Sequence, residues 1–376
     1  MKNLRFSHSQ RHFSAASLHF SKKNKAAEPF YALLSRNFDK ILTSTNVRSI
    51  TIKGRLYSTR PDIAVKKSSN ERPKITINTL RTLYSQREPI TMLTATNYPS
   101  AVFVEKSGIE ICLVGDSLAM VELGYESTTQ ITMDEMLHHC KAAARGAKSP
   151  FLVADMPFGS YEMGSLDAVK NAIRFIKEGN MEAVKLEGGI EIAETIQKIT
   201  SIGIPVMGHL GLTPQRRTSL GGFRVQGNTA KKALKLLEDA KALQEAGCFA
   251  LVLEAIPEIV AAHTTNNLKI PTIGIGAGVH TSGQVLVQQD MLGIFDRFVP
   301  RFCKQYASLD NTIVEALRSY RDEVKTGVFP AKSNCYPMAE TELKKFMECK
   351  ELSTENVLEV VEKDIYLGTQ AGAQFQ

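Results

Sequence analysis

No run of about 18 apolar residues occurs anywhere in the 376-residue chain, which argues against a membrane-spanning helix. Its six cysteines, Cys112, Cys140, Cys248, Cys303, Cys335 and Cys349, include no CxxC pair, which argues against a structural zinc site and suits a reducing compartment. Acidic residues are scarce at the amino end. Residues 1–60 carry twelve Lys/Arg against Glu28 and Asp39 alone, a local balance of +10 against a formal charge of +7 for the whole chain, so the remainder is left at −3. That distribution argues against a nucleic-acid partner for the body, since a binding face needs its basic residues on the folded part. The same segment has nine serines and no long apolar core of the kind a secretory signal carries. It reads as a mitochondrial transit peptide over residues 1–57, with "RLYSTRP" (55–61) supplying a cleavage site between Tyr57 and Ser58. A basic disordered arm is the competing reading.

Residues 58–74 are polar, contain two prolines and read as a linker to a folded body over 75–330. The body opens with a short helix at 76–89, ended by Pro89. Apolar runs of four to eight residues then recur at 91–95, 110–114, 150–154, 181–186, 204–208, 249–253, 271–275 and about 285–292. They lack the clean polar alternation of half-exposed strands, as strands covered on both faces should. Helical patterns separate them: one opens on the capping box Thr132/Glu135, one spans 166–178, one spans 229–246 with Ala233, Leu234, Leu237, Ala240 and Leu243, and the last spans 308–326. Eight such units predict an α/β fold, a closed (β/α)₈ TIM barrel, in preference to a doubly wound open sheet. A helical extension over 331–376, with patterns at 338–350 and 353–362, follows it and packs outside the barrel or on a neighbouring subunit.

In a barrel the carboxyl ends of the strands share one face, and Asp116, Asp155, Lys185, Glu187, His209 and Glu254 all stand at or just past such ends. Any one of them alone could be a helix cap or turn residue. Carboxylates without clustered Cys or His suit a hard divalent cation such as Mg²⁺, with Asp116 and Asp155 as direct ligands and Glu187 completing the shell or holding a bound water. An acid/base pair sharing a proton is the other option, which Lys185 disfavours by stabilising the ionised forms. A cation there would draw electron density from a 2-oxo acid and acidify the neighbouring C–H, giving an enolate. Lys185 and Ser117 suit the substrate carboxylate, Glu254 suits proton transfer at carbon, and His209 suits the enolate oxygen or the orientation of a ligand. The glycines of "GIGAG" (274–278) lack the full dinucleotide fingerprint and fit close packing or room for a flat ligand. The loop 211–227 reads as a pocket wall, with Arg216, Arg217 and Arg224 placed to attract an acidic cofactor tail.

The motifs "LTATNYPSA" (93–101), "VGDSLAMVELGYESTTQITMDEMLHH" (114–139), "ADMPFGSY" (154–161), "VKLEGG" (184–189), "GHLGLTPQ" (208–215), "GGFRVQG" (221–227), "LVLEAIP" (251–257) and "IPTIGIGAG" (270–278) together resemble the ketopantoate hydroxymethyltransferase family, over about 75–330. The resemblance implies a phosphoenolpyruvate/pyruvate-domain-like barrel dependent on Mg²⁺. It implies transfer of a one-carbon unit from 5,10-methylenetetrahydrofolate to 3-methyl-2-oxobutanoate, giving 2-dehydropantoate for pantothenate and coenzyme A synthesis. Carried over by motif, Asp116 and Asp155 are metal ligands, Glu187 lies at the metal, Lys185, Ser117 and His209 contact the oxoacid, and Glu254 is the acid/base residue. Small-molecule partners, a mitochondrial matrix location and a homo-oligomer follow, the bacterial form being a decamer of two pentameric rings, with no nucleic acid or membrane partner. Another Mg²⁺-dependent carbon–carbon lyase or transferase acting on an oxoacid is the alternative. One motif departs: where the family commonly reads "AYDYPSA" this chain has Thr96 and Asn97, and Asn97 cannot be an anionic ligand.

Overall fold

The computed structural model describes residues 72–295 and 297–348. The transit-peptide reading, Cys349 and the helical pattern at 353–362 lie outside them. Among the described residues, eight strands form one closed parallel barrel in sequence order. They are β1 (Ile90–Thr94), β2 (Ile111–Val114), β3 (Phe151–Asp155), β4 (Ala183–Glu187), β5 (Val206–Gly211), β6 (Ala250–Glu254), β7 (Thr272–Ile275) and β8 (Gly283–Leu286). The helices between and around them are α1 (Ile77–Gln86), α2 (Tyr98–Lys106), α3 (Met133–Gly146), α4 (Ser165–Lys177), α5 (Ala193–Ser201), α6 (Ala230–Glu245) and α7 (Glu258–Asn266), followed by α8 (Leu309–Thr326) and α9 (Glu340–Met347).

Alternation along each strand divides the apolar residues into two cores. Phe151, Val153, Ala183, Met207, Ala250, Val252 and Ile273 belong to one, inside the barrel. Leu152, Ala154, Val184, Leu186, Val206, Leu251 and Leu253 belong to the other, under the helices. Burial of each larger side chain contributes about 1.5–3 kcal/mol, so neither face of a strand can be polar along its length. Ile75 and Leu80, at and just before α1, join the interior core, and Phe151 meets Phe249 edge-on with ring centroids 5.6 Å apart, closing the bottom.

The inward rows change character toward the carboxyl ends. Phe151 and Val153 lead to Asp155, Ala183 leads to Lys185 and Glu187, Met207 to His209, and Ala250 and Val252 to Glu254. Strand register then sets Asp155 beside Lys185, Glu187 beside His209, and Gly211 beside Glu254. Apolar residues thus make the floor and charged residues the mouth.

Local signals account for the connecting elements. Thr132 and Glu135 form the expected reciprocal cap of α3, the Thr132 hydroxyl accepting from the Glu135 N–H at 3.2 Å and the Glu135 carboxylate from the Thr132 N–H at 2.8 Å. Asn97 caps α2, accepting from the Ser100 N–H at 3.0 Å, while Thr96 and Asn97 donate to Glu122 at 2.9 and 3.1 Å. The departure in the first motif is therefore absorbed as a helix cap. Buried Cys112 is inert by environment, burial pushing its thiol up to about 12.

Several expectations are corrected. The eighth strand is Gly283–Leu286, and residues Gln288–Met291 of the apolar run turn into a one-turn helix. On α6 the buried stripe is Leu236, Ala240 and Leu243, whereas Leu234 is exposed, one residue out of phase with the helix face. Helix α8, expected to complete the barrel, buries none of its residues among the described residues, and Ile313, Leu317, Tyr320 and Val324 are exposed there. The tail helix is shorter than 338–350, at Glu340–Met347.

Gly211 has φ +96°, and a Cβ there would lie 2.1 Å from the Glu254 carbonyl oxygen. Gly211→Ala should therefore destabilise the protein by about 3 kcal/mol. Chemical denaturation checks this, and a change below 1 kcal/mol, on the order of a surface substitution, would show that β5 and β6 do not meet as described.

Candidate active site

All six charged strand-end residues, together with Ser117, line one cavity of about 340 Å³ at the carboxyl ends of the strands. Its volume falls in the range of small-molecule sites. Asp116, Asp155, Lys185, Glu187 and His209 are each at most 5% exposed, so their charges must be balanced by one another or by a ligand.

Asp116 lies two residues past β2, and its backbone N–H donates to Asp155 Oδ2 at 3.1 Å. Its own Oδ2 accepts from Gln215 Nε2 at 2.8 Å. Burial, then the neighbouring Asp155 and Glu187, push the Asp116 carboxyl well above the usual carboxylate range. Lys185 Nζ sits 3.0 Å from Asp155 Oδ1. Burial alone would favour the neutral amine, but Asp155, Glu187 and Asp116 outweigh it and hold Lys185 as an ammonium. A permanently charged lysine is no nucleophile.

His209 lies between two carboxylates, with Nδ1 3.2 Å from Glu187 Oε1 and Nε2 3.1 Å from Glu254 Oε2. Both are close ion-pair contacts off the hydrogen-bond axis, and Lys185 Nζ is the hydrogen-bond partner of Nδ1, at 3.3 Å. Burial and the Lys185 charge lower the imidazole pKa, while Glu187 and Glu254 more than offset them and raise it to about 9. Burial would raise Glu187 in turn, but bonding to His209 and the charges of His209 and Lys185 bring it below its ordinary value. Ser117 is half-buried on the cavity wall.

Gln215 was not singled out by sequence reasoning, although it closes the motif "GHLGLTPQ". Besides Asp116, its Nε2 reaches the Met156 carbonyl at 2.9 Å, its backbone N–H donates to Glu187 Oε2 at 3.0 Å, and its Oε1 accepts from the Tyr161 hydroxyl at 2.6 Å. One side chain thus ties the β2 end to the β3 end, and its backbone ties both to β4. The amide gave no signal in sequence because its value lies in spanning three strands. Asp290, on the one-turn helix after β8, also lines the cavity and was hidden by reading that segment as strand.

Other expectations divide. Phe223 and Arg224 of the loop 211–227 line the cavity, but Arg216 pairs with Glu191 and Arg217 lies over the Phe223 ring at 5.6 Å. Only Arg224 of the three remains turned to the cavity. The "GIGAG" glycines serve packing: at Gly276, φ +64°, a Cβ would be 2.7 Å from the Phe302 ring.

The donor set was tested against a divalent cation. With Asp116 ionised, as a bound cation would make it, Asp116, Asp155, Glu187 and Glu254 supply four negative charges against two positive ones from Lys185 and protonated His209, a surplus of two in one buried site. Asp155 Oδ1 is buried without an aligned hydrogen-bond donor, and Asp116 lies beside it. Oxygen donors with that surplus fit a hard divalent ion. Glu187, expected to complete the shell or hold a bound water, has its two oxygens beside the Gln215 N–H and His209, and among the described residues no three His, Cys, Asp or Glu side chains converge to hold a metal.

A family model described as ketopantoate hydroxymethyltransferase matches residues 74–332. The chain belongs to that family. Relatives named 3-methyl-2-oxobutanoate hydroxymethyltransferase include one from Emericella nidulans, 53% identical over 74% of this chain and 81% of the relative. Another, from Carboxydothermus hydrogenoformans, is 54% identical over 71% of this chain and 96% of the relative. A third, from Arabidopsis thaliana, is named 3-methyl-2-oxobutanoate hydroxymethyltransferase 1, mitochondrial, and is 49% identical over 80% of this chain and 89% of the relative. Among solved structures, a phosphonopyruvate hydrolase complex with oxalate and Mg²⁺ aligns with a TM-score of 0.47 at 13% identity, covering 74% of this chain and 99% of that one. That likeness is slight and adds nothing to the barrel described above.

In this family member Lys185 is held as an ammonium, so a 2-oxo acid should form no imine with it. Treatment with borohydride in the presence of the oxoacid should leave the protein mass unchanged. A stable adduct on Lys185 would show that the charge balance of the site is otherwise.

Proposed function

We propose that the protein transfers a hydroxymethyl group from 5,10-methylenetetrahydrofolate to 3-methyl-2-oxobutanoate, giving 2-dehydropantoate and tetrahydrofolate, the reaction that commits carbon to pantothenate. The observation that carries this reading is the Asp116–Asp155 pair and its surplus negative charge, set in the same cavity as Glu254, in a chain of this family.

Asp116 and Asp155 would hold Mg²⁺. When bound there, the ion supplies Lewis-acid polarisation of the oxoacid carbonyl. The Lys185 ammonium and the Ser117 hydroxyl bind and orient the substrate carboxylate. Glu254, only partly buried at the cavity wall, takes the proton from C3, and His209 beside it carries positive charge toward the oxygen where negative charge develops. Glu187 acts by fixing His209 and by accepting from Gln215, as a positioning residue. The electron pair released at C3 forms the new bond to the folate methylene carbon. Both carbon–nitrogen bonds of the methylene break, each returning its electron pair to its folate nitrogen, and water supplies the hydroxyl oxygen; the C3 proton and the two protons of water balance the two nitrogens and the new hydroxyl.

The basic, serine-rich amino end and the relative named mitochondrial support import into the mitochondrial matrix, with processing at Tyr57–Ser58 to leave a linker, a barrel over 75–330 and a helical extension. The uncovered apolar stripe of α8 supports a homo-oligomer, with the two-ring decamer as the arrangement to weigh by light scattering.

Product formation tests the reaction. With both substrates and Mg²⁺ the protein should form 2-dehydropantoate, and omission of folate or chelation of the metal should abolish it. Asp116→Ala should lower turnover by on the order of 100-fold or more, and Glu254→Gln should slow exchange of the C3 proton into D₂O by roughly 100–10,000-fold. Turnover of the oxoacid without folate would instead indicate a lyase. Unchanged rates on chelation, or in both variants, would reject the assigned roles.

A further inference from the structure

The mechanism leaves one buried acid of the cavity unused. The ionic cluster occupies the ends of β2 to β6, whereas Asp290 comes from the β8 side, and the wall near it is apolar, with Phe295, Phe298 and Phe302. Asp290 is 8% exposed. Among the described residues neither of its carboxylate oxygens accepts a hydrogen bond, and Oδ1 is fully buried. Burial raises its pKa to about 6, so near neutrality it is an anion without a donor. An unpartnered buried carboxylate destabilises a fold, and a ligand with matching donors relieves that penalty.

The missing partner must bring donors and be able to lie on an aromatic wall. A carboxylate has two adjacent acceptors, so its complement is a pair of adjacent N–H groups on a flat ring. A small oxoacid has no such pair. The folate cosubstrate does, in the N3–H and 2-amino group of its pterin. At the other extreme of that molecule are the glutamate carboxylates. Arg224 and Arg301 line the same cavity, are exposed, and form no ion pair among the described residues. The available features therefore match both ends of one ligand.

We propose that Asp290 anchors the folate cosubstrate by accepting from the pterin N3–H and 2-amino group, the ring lying along Phe295, Phe298 and Phe302 and the glutamate tail meeting Arg224 and Arg301. This rests on the reading of the protein as a folate-dependent transferase. It makes Asp290 a binding residue, with no part in moving the C3 proton.

The test is steady-state kinetics on the full chain with each substrate varied in turn, joined to competition by tetrahydrofolate and its N3-methyl analogue. Asp290→Asn should raise the folate KM about tenfold or more and shift the oxoacid KM less than twofold. N3-methylation should weaken binding to the wild type about tenfold, and that difference should shrink to less than twofold in Asp290→Asn. A packing role would not couple these two changes. Phe298, 65% exposed, can be cut to Ala without disturbing the core, and this should raise the folate KM severalfold. Should Asp290→Asn fail to fold, the N3-methyl penalty on the wild type and the Phe298→Ala result decide. An unchanged folate KM in Asp290→Asn, or equal tolerance of N3-methylation by the wild type, would overturn the proposal while leaving folate dependence intact. A wild-type protein that forms product without folate would overturn the transferase reading and this inference together.

Discussion

Carboxylates removed from water must be compensated, and the whole mouth of this barrel is organised around that requirement. Asp116, Asp155 and Glu187 are nearly inaccessible to solvent, where an isolated carboxylate would take up a proton. The barrel answers with register. At two steps around the barrel an acid on one strand faces a base on the next: Asp155 beside Lys185, Glu187 beside His209. The compensation is deliberately incomplete in its arithmetic. With Asp116 ionised, two negative charges are left over, and a divalent cation is the simplest group to balance them.

Gln215 shows how the remaining freedom is removed. A carboxylate paired only by charge can swing, whereas Asp116 is held through its backbone by Asp155 and through its side chain by Gln215. The same glutamine is fixed by Tyr161 and Met156. Placement of the acids is therefore set by neutral hydrogen bonds with defined directions, while their protonation is set by the charges around them. Position and charge are controlled by different residues.

Much of this was legible in the sequence. Apolar runs ending in charge located seven strands closely, because buried parallel strands have few ways to be written, and the Thr132/Glu135 cap was readable because its spacing is its mechanism. What escaped reading shares a cause. Gln215 is polar, uncharged and in a single 3-10 turn, and its four partners come from distant parts of the chain. Asp290 sat inside "VLVQQDML", where an apolar run predicted strand continuation, yet the backbone turns helical after Val287 and carries the acid to the cavity. Leu234 and α8 were misplaced for a related reason: periodicity says that a helix has an apolar face, but not which neighbour covers it or whether one does. Strand-end position and motif both put Glu187 beside the metal, and neither could show that its two oxygens lie against His209 and the Gln215 N–H.

The closed bottom of the barrel has a bearing on traffic. Ile75 and Leu80 with the Phe151–Phe249 pair fill the floor beneath the site, so among the described residues the charged cluster faces the loops above. Ligands arriving over those loops would seat in layers: the molecule that sits innermost must board first and disembark last.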